Sequence, residues 1–190
     1  MPARKIESTE IAAAGGLSRA LKAYFGKMRC AGSCNLPRTS LDEIFFSSLG
    51  TFLGIGPIAL LSLHYGVPLL IPSFGASAAL LYAACHAPLA QPRNVLGGHV
   101  FSALAGVAVY RFFGNDWWAV TLAVMLAIVI MMATGTMHPP GGATAFVAVF
   151  NGQGLGFVLA PVALGSVLLI LVAILVNNLH SARKYPHYWL

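Results

Sequence analysis

The sequence predicts an all-α polytopic membrane protein built from two three-segment repeats, each holding a short broken helix. Three observations predict it. First, 58% of the 190 residues are hydrophobic and only 8% are charged, whereas soluble domains carry about a quarter charged residues. A chain this small cannot hide so much apolar surface, because a small domain leaves much of its area in water. Second, Arg93, Arg111 and Asp116 are the only charged residues between Ile44 and Leu179, the pattern of chain that lies in hydrocarbon. Third, a shift of 67 residues lays Pro72-Ser-Phe-Gly-Ala-Ser-Ala78 over Pro139-Pro-Gly-Gly-Ala-Thr-Ala145. The shared pattern is Pro-x-x-Gly-Ala-[Ser/Thr]-Ala. The same shift places Phe45-Phe46 over Phe112-Phe113 and Gly98 over Gly165, so the repeats run over 45–111 and 112–178.

Residues 1–39 form a basic segment with Arg4, Lys5, Arg19, Lys22, Lys27, Arg29 and Arg38. Leu17, Leu21, Tyr24, Phe25 and Met28 share one face of a helix from Leu17 to Arg29, which suits a helix lying on an anionic leaflet. Nucleic-acid binding is disfavoured because no reader motif accompanies the charge. Ser40-Leu-Asp-Glu43 is a capping box that opens a first span from Leu41 to about Tyr65. Gly66-Val-Pro68 ends it. A short helix follows from Pro72 towards Cys85, about 20 Å long and too short for a hydrocarbon core of about 30 Å.

A loop over 86–93 leads to a third segment from about Asn94 to Phe113. Gly98, Ser102 and Gly106 make a small-residue stripe along it, as Gly50 and Gly54 do in the first span. Such stripes suit close packing within one chain or a homodimer. Gly114-Asn-Asp116 turns the chain into a fourth segment, interrupted after about Thr134 by Gly135-Thr-Met-His-Pro-Pro-Gly-Gly142. A short helix over Ala143–Phe150 and a last span from Leu155 to about Leu179 complete the domain over 40–179. Residues 180–190 are a tail with Arg183 and Lys184. Basic flanks stay cytoplasmic, so both termini are expected inside, in a plasma membrane of bacterial type.

If all three segments of each repeat cross, the second repeat is inverted and Arg93 is also inside. Re-entrant short segments would give four crossings and put Arg93 outside. Inversion is the expectation taken forward, since inverted repeats with discontinuous helices mark transporters with a midplane site.

The broken helices offer anion chemistry. A helix start presents unpaired N–H groups and partial positive charge, proline is favourable there, and glycine admits a ligand to the backbone. The expected substrate-binding residues are Ser73, Gly75, Ala76, Ser77, His138, Gly141, Gly142, Ala143 and Thr144. Two facing helix starts would hold an anion without a buried lysine or arginine. Gln91, Arg93, Asn94, His99 and Thr136 are assigned to a mouth or gate, with helix capping as the plain alternative for Arg93 and its neighbours. His138 is the candidate for proton coupling. Cys30, Cys34 and Cys85 complete no zinc pattern, and neither a metal nor another cofactor is expected. An enzyme is disfavoured: no carboxylate lies between Glu43 and Asp116, and neither a Gly-x-Ser-x-Gly elbow nor a His-Glu-x-x-His run is present.

Met137-His-Pro-Pro-Gly-Gly-Ala-Thr-Ala145, Pro72-Ser-Phe-Gly-Ala-Ser-Ala78, Pro88-Leu-Ala-Gln-Pro-Arg-Asn-Val95 and Gly97-Gly-His99 resemble the HPP family of integral membrane proteins. The resemblance covers about Ser40 to Leu179. It implies four membrane spans and, through chloroplast and cyanobacterial members associated with nitrite, transport of nitrite or a similar small anion. A proton-linked carrier of another small solute and a non-transport membrane scaffold are the alternatives.

Overall fold

The computed structural model describes Arg19, residues 21–28 and residues 39–189. Residues 21–26 are helical with exposed side chains. The remainder of the proposed Leu17–Arg29 helix, Cys30 and Cys34 lie outside the described residues. Residues 39–190 cluster as a separate unit. Its main helices are α1 (Leu41–Leu63), α2 (Ser73–Ala83), α3 (Pro92–Phe113), α4 (Trp117–Thr134), α5 (Pro140–Phe150) and α6 (Val158–Asn177). The described residues contain no strand.

Among the described residues, four helices, α1, α3, α4 and α6, are long and apolar enough to cross a membrane. Each of α2 and α5 has 11 residues, about 16 Å of helix against about 30 Å of hydrocarbon. Exposed Phe52, Leu63, Met132, Leu159 and Leu175 clothe the outside of the bundle with apolar side chains, the reverse of a soluble surface and the composition that lipid accepts. The four long helices match the number that the family resemblance implies. The two short ones are the broken segments of the sequence reading.

Local chemistry explains the boundaries. Ser40 and Glu43 form the expected capping box, with Glu43 N donating to Ser40 Oγ at 3.2 Å. The Asp116 carboxylate accepts from Trp117 N at 2.7 Å and starts α4. Gly114 (φ 76°) and Gly135 (φ 64°) end α3 and α4 in conformations that an L side chain rarely adopts. Pro161 interrupts the first turns of α6, where Ala160 is extended (φ −136°, ψ 122°), as a residue before proline prefers.

Non-helical backbone inside an apolar bundle must find partners within the protein. Ser62 Oγ accepts from Leu69 N at 3.1 Å and Leu70 N at 2.8 Å, tying the strand-like approach to α2 onto the end of α1. At the second break, Arg93 donates to the Thr134 carbonyl at 3.0 Å and Asn94 donates to the Met137 carbonyl at 3.0 Å. Arg93 and Asn94 therefore hold the broken chain.

Small residues set how closely the helices approach. A Cβ on Gly54 would lie 2.0 Å from the Tyr82 hydroxyl, and one on Gly50 would lie 2.6 Å from the Tyr82 ring. Tyr82 thus lies in the groove of α1 and donates to the Leu169 carbonyl of α6 at 3.0 Å. Gly106 of α3 receives Ala145 and Ala148 of α5 in the same way. Both stripes are filled from within the chain.

One cation fastens an end of the bundle. Arg183 donates to the carbonyls of Tyr82 (2.9 Å) and Glu43 (2.9 Å), to Ser47 Oγ (2.9 Å) and to Asn177 Oδ1 (3.2 Å). The chain from His64 to Ala83 has therefore returned to the end where α1 begins and α6 finishes. Beyond it, Tyr185 donates to the Ala90 carbonyl at 2.8 Å, and His187 N donates to Gln91 Oε1 at 2.8 Å. Burial raises the affinity of the Tyr185 phenol for its proton. Arg183→Ala is expected to loosen this end, since each of those carbonyls loses a charged donor worth roughly 1.5–3 kcal/mol. Limited proteolysis should then cut the tail near residue 184, while Arg183→Lys should protect it only in part, because an ammonium lacks the fork that reaches several acceptors.

Candidate functional site

The two broken helices meet at the centre of the bundle, and their hydroxyls meet there too. Ser73 and Ser77 lie one turn apart on α2, so they share a face. Thr144 occupies the matching face of α5. Ser73 is 1% exposed, and Ser77, His99, His138 and Thr144 are fully buried. The Thr144 hydroxyl donates to Ser73 Oγ at 2.9 Å. Its oxygen also lies 2.7 Å from His99 Nδ1. The opposite nitrogen of His99, Nε2, is 2.7 Å from Ser77 Oγ, which is itself 2.9 Å from His138 Nε2. His138 Nδ1 lies 2.8 Å from the Leu89 carbonyl. That contact fixes a proton on His138 Nδ1, since a carbonyl only accepts.

Glycines make this convergence possible. A Cβ on Gly98 would stand 2.5 Å from His138 Cβ and 3.0 Å from the Thr136 carbonyl. One on Gly141 would stand 2.8 Å from the Gly98 carbonyl. These two glycines bring α3 and α5 into backbone contact, and His99 on α3 then reaches across to Ser77 and Thr144. The Phe74 ring closes the other side, edge-on to His99 with centroids 5.4 Å apart. Phe74 also fills the space over Gly165, where a Cβ would be 2.3 Å away.

The expected site residues separate into three sets. Ser73, Ser77, His138 and Thr144 come together with His99, which the sequence reading assigned to a mouth or gate. Gly141 supports them from α5. Gly75, Ala76 and Ala143 are exposed, and Gly142 is half-buried with Val124 as the nearest atom to an added Cβ, at 3.9 Å. Those four line no part of the hydroxyl cluster. The mouth residues Gln91, Arg93, Asn94 and Thr136 gather at the end of the bundle by the tail. Gln91 is buried and donates to the carbonyls of Cys85 (3.0 Å) and Ala87 (3.1 Å). Thr136 pairs with Thr134 at 2.7 Å and packs on Gly97. Leu89, whose carbonyl closes the cluster, carried no signal in its side chain.

An open cavity of about 210 Å³ lies at the other end. It is lined by Pro72, Ile71, Val147, Asn151, Gln153 and Phe157 among others. Pro72, the residue before Ser73, is part of the lining of this vestibule. Among the described residues, no group of three metal-ligating side chains is present.

A family model for the transmembrane region of HPP proteins matches residues 36–186. The chain belongs to the HPP family. Two transmembrane proteins of Dictyostelium discoideum are similar to it: one is 42% identical over 180 residues, the other 38% over 179, each match covering 87% of this chain. The chain spans 57% and 63% of the length of these relatives. No solved structure matches it significantly. In this HPP chain, the run that carries the family motif, Met137 to Ala145, supplies His138, Gly141 and Thr144 to the central cluster.

Proposed function

We propose that this HPP-family protein is a membrane transporter for a small inorganic anion, nitrite or one like it, bound where α2 and α5 meet. The observation that carries the reading is the sealed cluster of three hydroxyls and two imidazoles at that meeting point, in a bundle with no lysine or arginine at its centre. Hydroxyl and N–H donors stabilise a small monovalent anion. They do not repay the larger dehydration of a divalent one, because burying charge without full pairing is costly. Binding without a fixed counter-charge also leaves release easy. With its polar atoms bonded to one another, the cluster is in an occluded arrangement. An anion arriving from the vestibule at Pro72 would take over the donors of Ser73 and Thr144.

The arrangement of breaks supports an inverted repeat. Under the 67-residue shift, Phe74 corresponds to Gly141 and Gly98 to Gly165. The contact of Phe74 on Gly165 and that of Gly141 on Gly98 are thus the same contact with the halves exchanged. Each half then crosses three times, the middle crossing made of extended chain plus a short helix. Arg93 and Arg183 fall on one side, the cytoplasmic one by the distribution of charge along the sequence. The two halves rock about the cluster to expose it to each side in turn.

The test is uptake into liposomes of nitrite against nitrate, chloride and formate. Saturable uptake of nitrite is expected. Thr144→Val, of similar volume but without the hydroxyl, should lower it by roughly tenfold, the loss of a hydrogen bond of about 1.4 kcal/mol. A folded sample that carries none of the four anions would sink the reading.

A further inference from the structure

The central cluster has a property that follows from counting its protons. Its hydrogen bonds run in a single row: Ser73 Oγ to Thr144 Oγ1, Thr144 Oγ1 to His99 Nδ1, His99 Nε2 to Ser77 Oγ, Ser77 Oγ to His138 Nε2, and His138 Nδ1 to the Leu89 carbonyl. Each of these five bonds needs one proton. The carbonyl has none to give. Thr144, Ser77 and two neutral imidazoles each give one. One more is needed, and it has only two sources. Either the Ser73 hydroxyl turns inward and donates to Thr144, or an imidazole carries an added proton.

The first source fixes every direction in the neutral row. Ser73 donates to Thr144, Thr144 to His99 Nδ1, His99 Nε2 to Ser77, Ser77 to His138 Nε2, and His138 Nδ1 to Leu89. The two histidines are then opposite tautomers. The second source reverses two of the bonds when the added proton sits on His99, and four when it sits on His138. Thr144 donates to Ser73, as the geometry has it, so His99 Nδ1 must carry a proton. The added proton is shared between His99 and His138 through the Ser77 hydroxyl. The Ser73 hydroxyl is then free to point elsewhere, and the residue before it lines the vestibule.

We propose that this row is a proton-loading site which reverses on taking up one proton and thereby frees the Ser73 hydroxyl for the anion, so that proton and anion are carried together, one for one. The part concerning the anion rests on the transport reading above. The row itself rests on geometry alone. Among the described residues, no other titratable group is in contact with it. Ser77, Thr144 and the Phe74 ring lie against the imidazoles, Gly98 packs on His138, and Thr136, Met131 and Ser102 stand around Gly98 and Gly141. The nearest cation in sequence, Arg93, is held on the Thr134 carbonyl, and Asp116 stands at the start of α4. A positive charge on the pair therefore has no fixed counter-ion, and a bound anion would supply one. No bond outside the row is made or broken, and the added proton leaves with the anion.

The rival arrangement is specific. Ser77 Oγ also lies 3.2 Å from the Ser73 carbonyl. If Ser77 donates there, an added proton stays on His138, His99 keeps its Nε2 proton, and Ser73 is not released. Nitrogen-15 spectra of the histidine-labelled protein in lipid nanodiscs separate the two, with His99→Gln and His138→Gln used only to assign signals. The expected result is opposite tautomers at high pH, uptake of a single proton by the pair on acidification, and protonation of His99 Nδ1 in that step. Sodium nitrite should raise the pH at which this happens. A His99 Nδ1 that stays unprotonated throughout overturns the row. So does nitrite uptake into liposomes without a proton per anion, followed by an internal pH dye. Reversal of the row in a protein that carries no anion would leave the row standing and remove the transport reading instead.

Discussion

Gly98→Ala is expected to disable this protein by the addition of a single methyl group. Alanine is the better helix former by about 1 kcal/mol, so in isolation the change would stabilise α3. The new Cβ, however, would lie 2.5 Å from His138 Cβ, 3.0 Å from the Thr136 carbonyl and 3.3 Å from Met131 Sδ. Two of those three neighbours belong to the broken segment, one being backbone, so the segment must move as a unit. Overpacking in a well-packed core costs about 1–3 kcal/mol, and here it also displaces His138 from Ser77 and Leu89. The variant should melt several degrees lower in detergent and lose nearly all anion uptake. Gly142→Ala is the control. Its Cβ would meet only Val124, at 3.9 Å, so melting should stay level or rise slightly and uptake should persist. Equal damage from both substitutions would show that the close approach at Gly98 does not hold the site.

Ser77→Ala is expected to have the second large effect. The Ser77 oxygen stands between two imidazole nitrogens, 2.7 Å from one and 2.9 Å from the other. Without it both nitrogens are buried with no partner, at a cost of about 1–3 kcal/mol each. Thermal unfolding should register most of that loss, and transport should fall below detection. Ser102→Ala provides the contrast. Ser102 is equally buried, one turn along α3 from His99, but its hydroxyl has no hydrogen-bond partner. Removing it should leave stability unchanged or slightly higher. Similar losses from the two serine changes would mean that buried hydroxyls matter here for volume and not for bonding.

Much of the fold was legible because it is written locally. The capping box at Ser40 and Glu43, the aspartate before Trp117 and the glycines at 114 and 135 act within a few residues of themselves. The breaks at Pro72 and Pro139 announce themselves by residues that cannot continue a helix in place. The site was partly legible for the same reason: Ser77 and Thr144 stand out because the repeat marks them. What sets them in a cluster is not local. His99 lies 22 residues from Ser77 and 45 from Thr144, and only the close packing at Gly98 brings it inward. The Leu89 carbonyl is backbone and has no signature in any side chain. The glycine stripe of α1 left packing within the chain and pairing with a second copy equally open, since it records only that something comes close. That something is Tyr82, a residue with no pattern around it. The helix-start motif groups Gly75 and Ala76 with Ser73 and Ser77, whereas the helix leaves the first two exposed and buries the serines.

The seat of α2 carries a consequence for how the protein is made. A helix of 11 residues with serines on one face has too little apolar length to partition into a bilayer unaided. The groove of α1 supplies one side of its anchorage, and α6 supplies the other: Phe74 lies against Gly165, Tyr82 bonds the Leu169 carbonyl, and Asn177 donates to the Leu81 carbonyl. All three partners are on α6, the last of these six helices to be synthesised. The seat of α2 therefore stays incomplete until α6 has been made. A nascent chain stopped before residue 164 should leave residues 73–83 open to a water-soluble thiol reagent at an introduced cysteine, and release of the full chain should close them.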